Sequence, residues 1–470
     1  MTPAAPMVSY LASAQGGTFI NPNFSNVGRD QINNNYSNLQ SVLQILWQEI
    51  AEAGASHDSA ARYPLIGCHP NTREELLEML LEWTRDPSKS SFYWFYGPVG
   101  HGKSTIAQSL SERCAQEGLL VSTFFFSRNN SKRNNPTYLF LTIAYGLALS
   151  IPPLQEIIGG VIQANPAILG SSLDTQFREL IVEPCRLLAD SWESGWPHVV
   201  IIDGLDECQG NGMQERILYI LSSPYHEPEN FPLRFLICSR PEPTIREVFD
   251  SSGLYPHLQR APLSDDWKAR RDIERYLVDR LDMIRQRPRY SAIRFPDPWP
   301  PRGVVHQLSN NSCGQFIYVS VAVAFVDSEF ENPCRKLEVI LRLTSKRDSE
   351  SPFGPLDALY DHILSVNPNT KGLVMILGFL IHHPTELMPC PHLIETLLDL
   401  PEGQVNLELR AMHSILDITD SYIYILHTSF SDFLQERTRS GVFYIDPTYF
   451  QSFTVSHVLL YLNGHLQDHS

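Results

Sequence analysis

The run Gly97-Pro98-Val99-Gly100-His101-Gly102-Lys103-Ser104-Thr105 gathers three glycines, a lysine and two hydroxyls in one short stretch. That combination suits the seating of a phosphate chain. Glycine permits the dihedrals that turn successive backbone N–H groups toward one anion. Lys103 would reach the β- and γ-phosphates, the Ser104 hydroxyl would bind Mg²⁺, and Thr105 could touch the α-phosphate. A helix starting there would add the positive end of its dipole. The alternative is a glycine turn beside an exposed lysine, and the flanking sequence argues against it. Phe92 to Tyr96 reads as a strand entering the loop, and Ser104 to Ala115 as a helix leaving it.

A second set of groups follows about a hundred residues later. Val199-Val200-Ile201-Ile202-Asp203 is an aliphatic strand ending in a carboxylate, where a Mg²⁺ partner at the carboxyl edge of a sheet belongs. Gly204-Leu205-Asp206-Glu207 then adds two acids able to orient and polarise an attacking water. Glu207 is the candidate base, with Asp206 as the alternative. A surface acidic turn is the plainer reading, but an aliphatic strand delivering three carboxylates favours the chemical one. A third strand, Phe235 to Cys238, runs into Ser239-Arg240-Pro241, which makes Arg240 a candidate γ-phosphate sensor.

These groups need a scaffold that brings strand ends together. Strand-like runs at Phe92 to Tyr96, Leu120 to Phe126, Val199 to Asp203 and Arg234 to Ser239 alternate with helical stretches between residues 63 and 263. That alternation predicts a parallel sheet covered by helices, an α/β P-loop NTPase domain. Residues 264–345 read as mostly helical, with segments near Trp267 to Ile284, Gly303 to Ser309, Gly314 to Val326 and Leu337 to Leu343. A breaker-rich stretch, Ser345 to Pro355, precedes a unit over 346–440. Its helices fall at Leu356 to Val366, Gly372 to His382 and Leu393 to Leu400, followed by a strand at Ser421 to Leu426 and a helix at Ser429 to Glu436. Residues 441–470 read as the start of a further helical segment or a tail. Upstream, residues 39–62 hold an amphipathic helix with Leu39, Val42, Leu43, Leu46, Trp47 and Ile50 on one face, then a linker. Residues 1–38 form an asparagine-rich leader too poor in core-forming side chains to order by burial.

Composition narrows the partners. With 36 basic against 52 acidic residues, a net charge of -16 and no basic run, the chain is a poor match for a nucleic-acid backbone. Its eight scattered cysteines form no Cys-x-x-Cys pair, which suits reduced thiols and a cytoplasmic setting. No secretory signal opens the chain, and the apolar runs Phe316 to Val326 and Gly372 to Ile381 are too short to span a bilayer.

The motifs at Gly97 to Thr105 (Walker A), Asp203 to Glu207 (an extended Walker B, DGLDE) and Ile237 to Pro241 (ICSRP) resemble those of the NACHT family in the STAND class of signalling NTPases. The likeness is closer to fungal NLR-like members of the nephrocystin-3-like amino-terminal type. Cys68 to Arg73 and Phe124 to Arg128 also look like family sequence, and the resemblance covers about Ala55 to Arg437. It implies that Thr72 lies where the chain approaches adenine and that Arg128 turns a second basic group toward the phosphates. It further implies a helical domain and then a winged-helix-like domain. There, His427 in Leu426-His427-Thr428-Ser429-Phe430-Ser431-Asp432-Phe433-Leu434 would contact the β-phosphate of ADP. The chain departs from many animal relatives in carrying Cys313-Gly314-Gln315-Phe316 where a Gly-x-Pro packs on adenine, a form similar to fungal relatives.

The resemblance implies an ATP/ADP switch. ADP with His427 would hold a closed form, a γ-phosphate with Arg240 and Mg²⁺ would favour an open one, and open protomers would assemble into a homo-oligomer. Slow hydrolysis through Glu207 would reset the switch, in the service of innate-immunity or cell-death signalling through an unknown protein effector. A scaffold that binds nucleotide without turnover is the alternative, and a small-molecule kinase a remoter third. Residues 16–38 also resemble amino-terminal amyloid signalling motifs, a polar asparagine-rich stretch with interspersed aromatics. No sensor repeats usual in this class follow before Ser470, so sensing would lie elsewhere or the chain is truncated.

Overall fold

The structure is a computed structural model. It describes residues 43–468 apart from 64, 87, 129, 193–194, 211, 227–230, 252–256, 264–266, 329–330, 345–350, 384–388 and 420. The leader at 1–38, with its amyloid-like stretch, lies outside the described residues.

Five strands form a parallel sheet in the order β2-β3-β4-β1-β5: β1 Phe92–Tyr96, β2 Leu120–Phe125, β3 Val199–Asp203, β4 Arg234–Ser239 and β5 Leu258–Pro262. The first four stand where the apolar runs predicted them, β2 ending one residue early. The fifth was not anticipated, because Leu-Gln-Arg-Ala-Pro carries neither an apolar run nor an alternation. It lies at the sheet edge, paired to β1 alone, where a proline is tolerated.

The central strands are buried on both faces, and their side chains divide with period two. Phe92, Trp94, Val200, Ile202, Phe235 and Ile237 join one apolar cluster with the helices Leu139–Ser150 and Pro152–Ala164. Tyr93, Phe95, Val199, Ile201, Leu236 and Cys238 join another with Glu74–Arg85 and Lys103–Gln116. The amino-terminal helix, described over 43–50, buries Leu46 and Ile50 in the first cluster and sets Trp47 against Tyr145 at 5.7 Å.

Past residue 267 the chain is mostly helical, as its pattern predicts. Trp267–Arg285, Val304–Ser312, Phe316–Val326 and Pro333–Thr344 are followed by Gly354–Ser365, Thr370–His382, Pro391–Leu397 and Gln404–Leu409. A short antiparallel pair, β6 Leu416–Ile418 and β7 Ile423–Ile425, leads into Thr428–Leu434, and Pro447–Asp468 closes the described chain. One apolar cluster runs from Ile273 to Val458, so helices on both sides of residue 345 share a core. No single described helix is long and apolar enough to cross a membrane.

Candidate functional site

The parallel register fixes the site, because it lines up the strand ends. Tyr96 pairs with Ser239, Asp203 with Cys238, and Phe125 with Asp203. The chain leaves all four strands along one carboxyl edge, where ligands of open α/β sheets bind.

From β1 the loop turns through Gly100 (φ 81°) and Gly102 (φ 92°) into the Lys103–Gln116 helix, in backbone conformations that side chains resist. Lys103 Nζ donates to the carbonyl oxygens of Gly97 and Pro98 at 2.8 and 2.9 Å, and burial pulls its ammonium below the usual lysine value. Gly97, Pro98 and Val99 thus form the first turn of the loop, and the carbonyl of Val99 lies 3.2 Å from His101 Nδ1. The loop is also held from outside. The Gly100 carbonyl accepts from the Ile317 N–H at 3.1 Å, and a Cβ added at Gly100 would fall 2.3 Å from Ile317 Cγ2. The helical region therefore grips the phosphate loop directly.

Asp203, at the end of β3, is buried with the Ser104 hydroxyl close enough to offset part of the burial. Burial pushes its carboxyl up to about 6, and its Oδ1 has no hydrogen-bond partner among the described residues. A buried carboxylate oxygen left unsatisfied beside a loop serine is the donor set that a nucleotide-bound Mg²⁺ uses, because Mg²⁺ fills its remaining positions with phosphate oxygens and water. Ser104 and Asp203 fit that ion. No group of three or more His, Cys, Asp or Glu suited to a metal occurs among the described residues.

The two acids that follow separate in role. Asp206 is occupied, receiving the Arg240 backbone N–H at 2.9 Å on Oδ1 and Arg240 Nε at 3.1 Å on Oδ2. A carboxylate engaged on both oxygens by a guanidinium and an amide positions Arg240, and although Asp206 also lines the cavity this leaves it the weaker candidate for a base. Glu207 lines the cavity and accepts the Arg128 backbone N–H at 2.9 Å. Burial, with Asp206 and Asp203 close by, lifts its carboxyl to about 7, a value suited to a general base near neutrality.

Arg240 reaches across the cleft edge. Its Nη2 donates to Asp432 Oδ2 at 2.7 Å, and Arg128 Nη1 donates to Asp432 Oδ1 at 3.3 Å. Burial lowers the Arg240 pKa, but the Asp432 and Asp206 carboxylates outweigh it and leave it raised. Arg128 departs from its expected place. Its side chain is 42% exposed and absent from the cavity lining, so its backbone amide, not its guanidinium, serves the site. Arg133, five residues on, lines the cavity instead.

The cavity, about 800 Å³, lies between the sheet edge and the helical region, and Lys103, Ser104, Thr105 and Glu207 line one side. Thr72 lines it too, yet its hydroxyl donates to the His69 carbonyl at 2.6 Å and so closes its own turn. The adjacent Arg73 lays its guanidinium over the Phe316 ring at 4.9 Å, and Tyr276 meets the same ring edge-on. On the far side stands His427, which makes no capping hydrogen bond. Burial drops its imidazole to about 4, so it faces the cavity neutral at pH 7.

Several lining residues escaped the sequence reading. Arg62 rests on the Phe125 ring at 3.4 Å, with burial lowering it to about 10, and Asp203 lies near enough to oppose that drop. Arg133 and Arg280 each bury an Nε that has no partner among the described residues, and Glu207 is the first charge opposing the desolvation of Arg133. Their neighbours in sequence form no motif, so only the fold could have found them.

The fold and the loop together define an α/β P-loop NTPase. Residues 71–240 match the family described as nephrocystin 3, N-terminal. No curated protein matches the chain. Among solved structures it is similar to a STAND protein with a tetratricopeptide repeat sensor from Pyrococcus horikoshii, at 14% identity and a TM-score of 0.41, over 77% of this chain and 42% of that one. It is also similar to the Aeropyrum pernix ORC2 protein in its ADPNP-ADP complexes, at 16% identity and a TM-score of 0.30, over 77% and 92%. A third likeness is to Cdc6p from Pyrobaculum aerophilum, at 12% identity and a TM-score of 0.30, over 87% and 100%. The chain thus spans less than half the length of the Pyrococcus protein.

Proposed function

We propose that this chain is a NACHT-type ATP/ADP switch, whose nucleotide sits in the cleft between the sheet edge and the helical region. One observation carries the reading: an acidic chain concentrates Lys103, Arg133 and Arg280 in a single cavity, with both arginines short of partners. A lysine at a glycine-rich loop, faced by two buried guanidinium nitrogens without partners, suits a polyphosphate. Because that cavity is lined from both halves, a bound nucleotide touches both, and its identity can bias their relation through different affinities for closed and open forms.

In this reading the loop amides and Lys103 hold the phosphates, Ser104 and Asp203 hold Mg²⁺, and Phe316 with Tyr276 packs the base. His427, neutral, donates to or accepts from the diphosphate. Mg²⁺ when bound supplies charge neutralisation to the phosphates. Glu207 takes the proton of an attacking water, positioned by the Arg128 amide, and hydrolysis resets the switch slowly. The helices and β6–β7 pair from Gly354 to Leu434 act as a winged-helix-like closing unit, the open form assembles into a homo-oligomer, and the setting is cytoplasmic, with a protein effector in immune or cell-death signalling downstream.

Mass photometry of the purified chain with ADP, ATP and a non-hydrolysable analogue tests this, beside a Lys103→Arg control. Assembly only with triphosphate, absent in the control, is expected; one mass under all conditions would sink the switch. A nucleotide-binding scaffold without turnover is the second reading, favoured by the grip of Ile317 on Gly100, which suits holding more than release. Single-turnover hydrolysis by wild type and Glu207→Gln separates the two.

A further inference from the structure

Asp432 stands near the middle of the Thr428–Leu434 helix, 192 residues from Arg240 and 304 from Arg128 in sequence. Both of its carboxylate oxygens are committed, Oδ2 to Arg240 at 2.7 Å and Oδ1 to Arg128 at 3.3 Å. The Arg240–Asp432 pair is largely sheltered, with side chains 20% and 18% exposed. The rest of Arg240 is fixed by Asp206, which takes its Nε and backbone N–H. The Nη2 end is therefore the part of the guanidinium aimed beyond the sheet edge, and a carboxylate of this same chain fills that place.

We infer that Asp432 is a specificity-determining residue that stands in for a terminal phosphoryl group and makes the closed form select a nucleoside diphosphate over the triphosphate. The inference rests on the nucleotide reading of the cleft. A carboxylate and a phosphoryl group ask the same thing of a guanidinium, a charge-assisted pair of hydrogen bonds. While Asp432 holds Arg240, a γ-phosphate finds its sensor taken and a like charge beside it. A diphosphate ends before that point and meets no such competitor. For a triphosphate to reach Arg240 it must displace Asp432, and with it the short helix whose N-cap is His427. Discrimination and release are then one event, because two anions compete for one cation.

The test is competition binding of ADP and adenylyl imidodiphosphate to the full chain, as wild type, Asp432→Asn and Asp432→Asn/Arg240→Gln. Asparagine keeps the volume and removes the charge. The single variant is expected to shift the affinity ratio about tenfold toward the triphosphate analogue, with ADP affinity within about threefold. The double variant should lose that gain, since the sensor is gone. A ratio unchanged in a variant that still binds ADP overturns the role of Asp432 and leaves the nucleotide site standing. Wild type that binds neither nucleotide overturns both. Hydrogen exchange in wild-type protein needs no variant to fold: exchange over 428–434 should rise when the analogue replaces ADP, and equal exchange with the two ligands overturns the inference.

Discussion

The two walls of the cleft are built on opposite principles. On the sheet wall most charged groups already have a partner, Lys103 on two carbonyls, Asp206 on Arg240 and Glu207 on the Arg128 amide, while Asp203 Oδ1 and Arg133 Nε stay open for an ion and a ligand. On the helical wall Arg280 keeps an unsatisfied buried Nε and His427 makes no capping bond. Internal pairing preorganises the first wall, so a ligand meets donors whose ordering cost is already met. The second wall gains its missing partners only when something fills the cleft. Affinity is therefore expected to lie with the sheet wall, and sensitivity to what is bound with the helical one.

Substitutions on the two walls test that division. The largest effect belongs to Glu207→Gln, expected to lower ATP hydrolysis by about 10²–10⁴-fold, the usual worth of a positioned base. Binding should stay within about threefold, read by single-turnover kinetics beside titration. Next, Lys103→Ala should weaken nucleotide binding by about 100-fold, since an ammonium on the phosphates makes charge-assisted bonds of ~1.5–3 kcal/mol. Calorimetry showing ADP affinity unchanged would break the sheet-wall assignment.

A stability contrast comes third. Asp206→Ala strips Arg240 of its anchor inside the sheet wall and should cost about 2 kcal/mol, discounted because Arg240 is partly exposed. Arg280→Ala removes a group with an unpaired Nε and should leave the melting temperature unchanged while weakening nucleotide binding several-fold. Equal melting losses in both variants would erase the difference between the walls.

The smallest effect is a pH slope. The Glu207 carboxyl is raised in the folded chain to about 7 from an ordinary 4.5, so the folded state binds its proton more tightly than the unfolded one. Its contribution is then fully present below the unfolded value and is lost as pH rises through about 7. Asp203, raised to about 6, acts in the same direction at lower pH, whereas His427, lowered to about 4, acts in the opposite one. Between pH 6.5 and 8 the melting temperature of nucleotide-free protein should fall more in wild type than in Glu207→Gln. Parallel slopes by differential scanning fluorimetry would place Glu207 in a wetter environment than its burial suggests.

Much of the sheet wall could be read along the chain. Phe92 to Tyr96 and Val199 to Asp203 are apolar enough to declare themselves strands, and the loop and acids follow each strand directly in sequence. Leu258–Pro262 escaped, because an edge strand paired on one side needs no apolar run. Glu207 stood as the candidate base with Asp206 as the alternative, but nothing local could tell which would be drawn into an ion pair. Arg128 drew attention from its place after Phe124 to Ser127, whereas Arg133 carried no local signal at all. The turn that holds them, with Ser127 N–H on the Arg133 carbonyl and Arg133 N–H on that of Asn130, sends one guanidinium to the rim and the other into the cavity.

Local sequence was enough for the phosphate seat, since Gly97 to Thr105 and Asp203 owe their positions to the strands they adjoin, and strand ends meet at one edge once the sheet is parallel. Packing between distant elements settled which guanidinium nitrogens keep an open site and which are paired. Ion pairs such as Arg240 with Asp432 join residues far apart in the chain, and their geometry exists only when separate elements have packed.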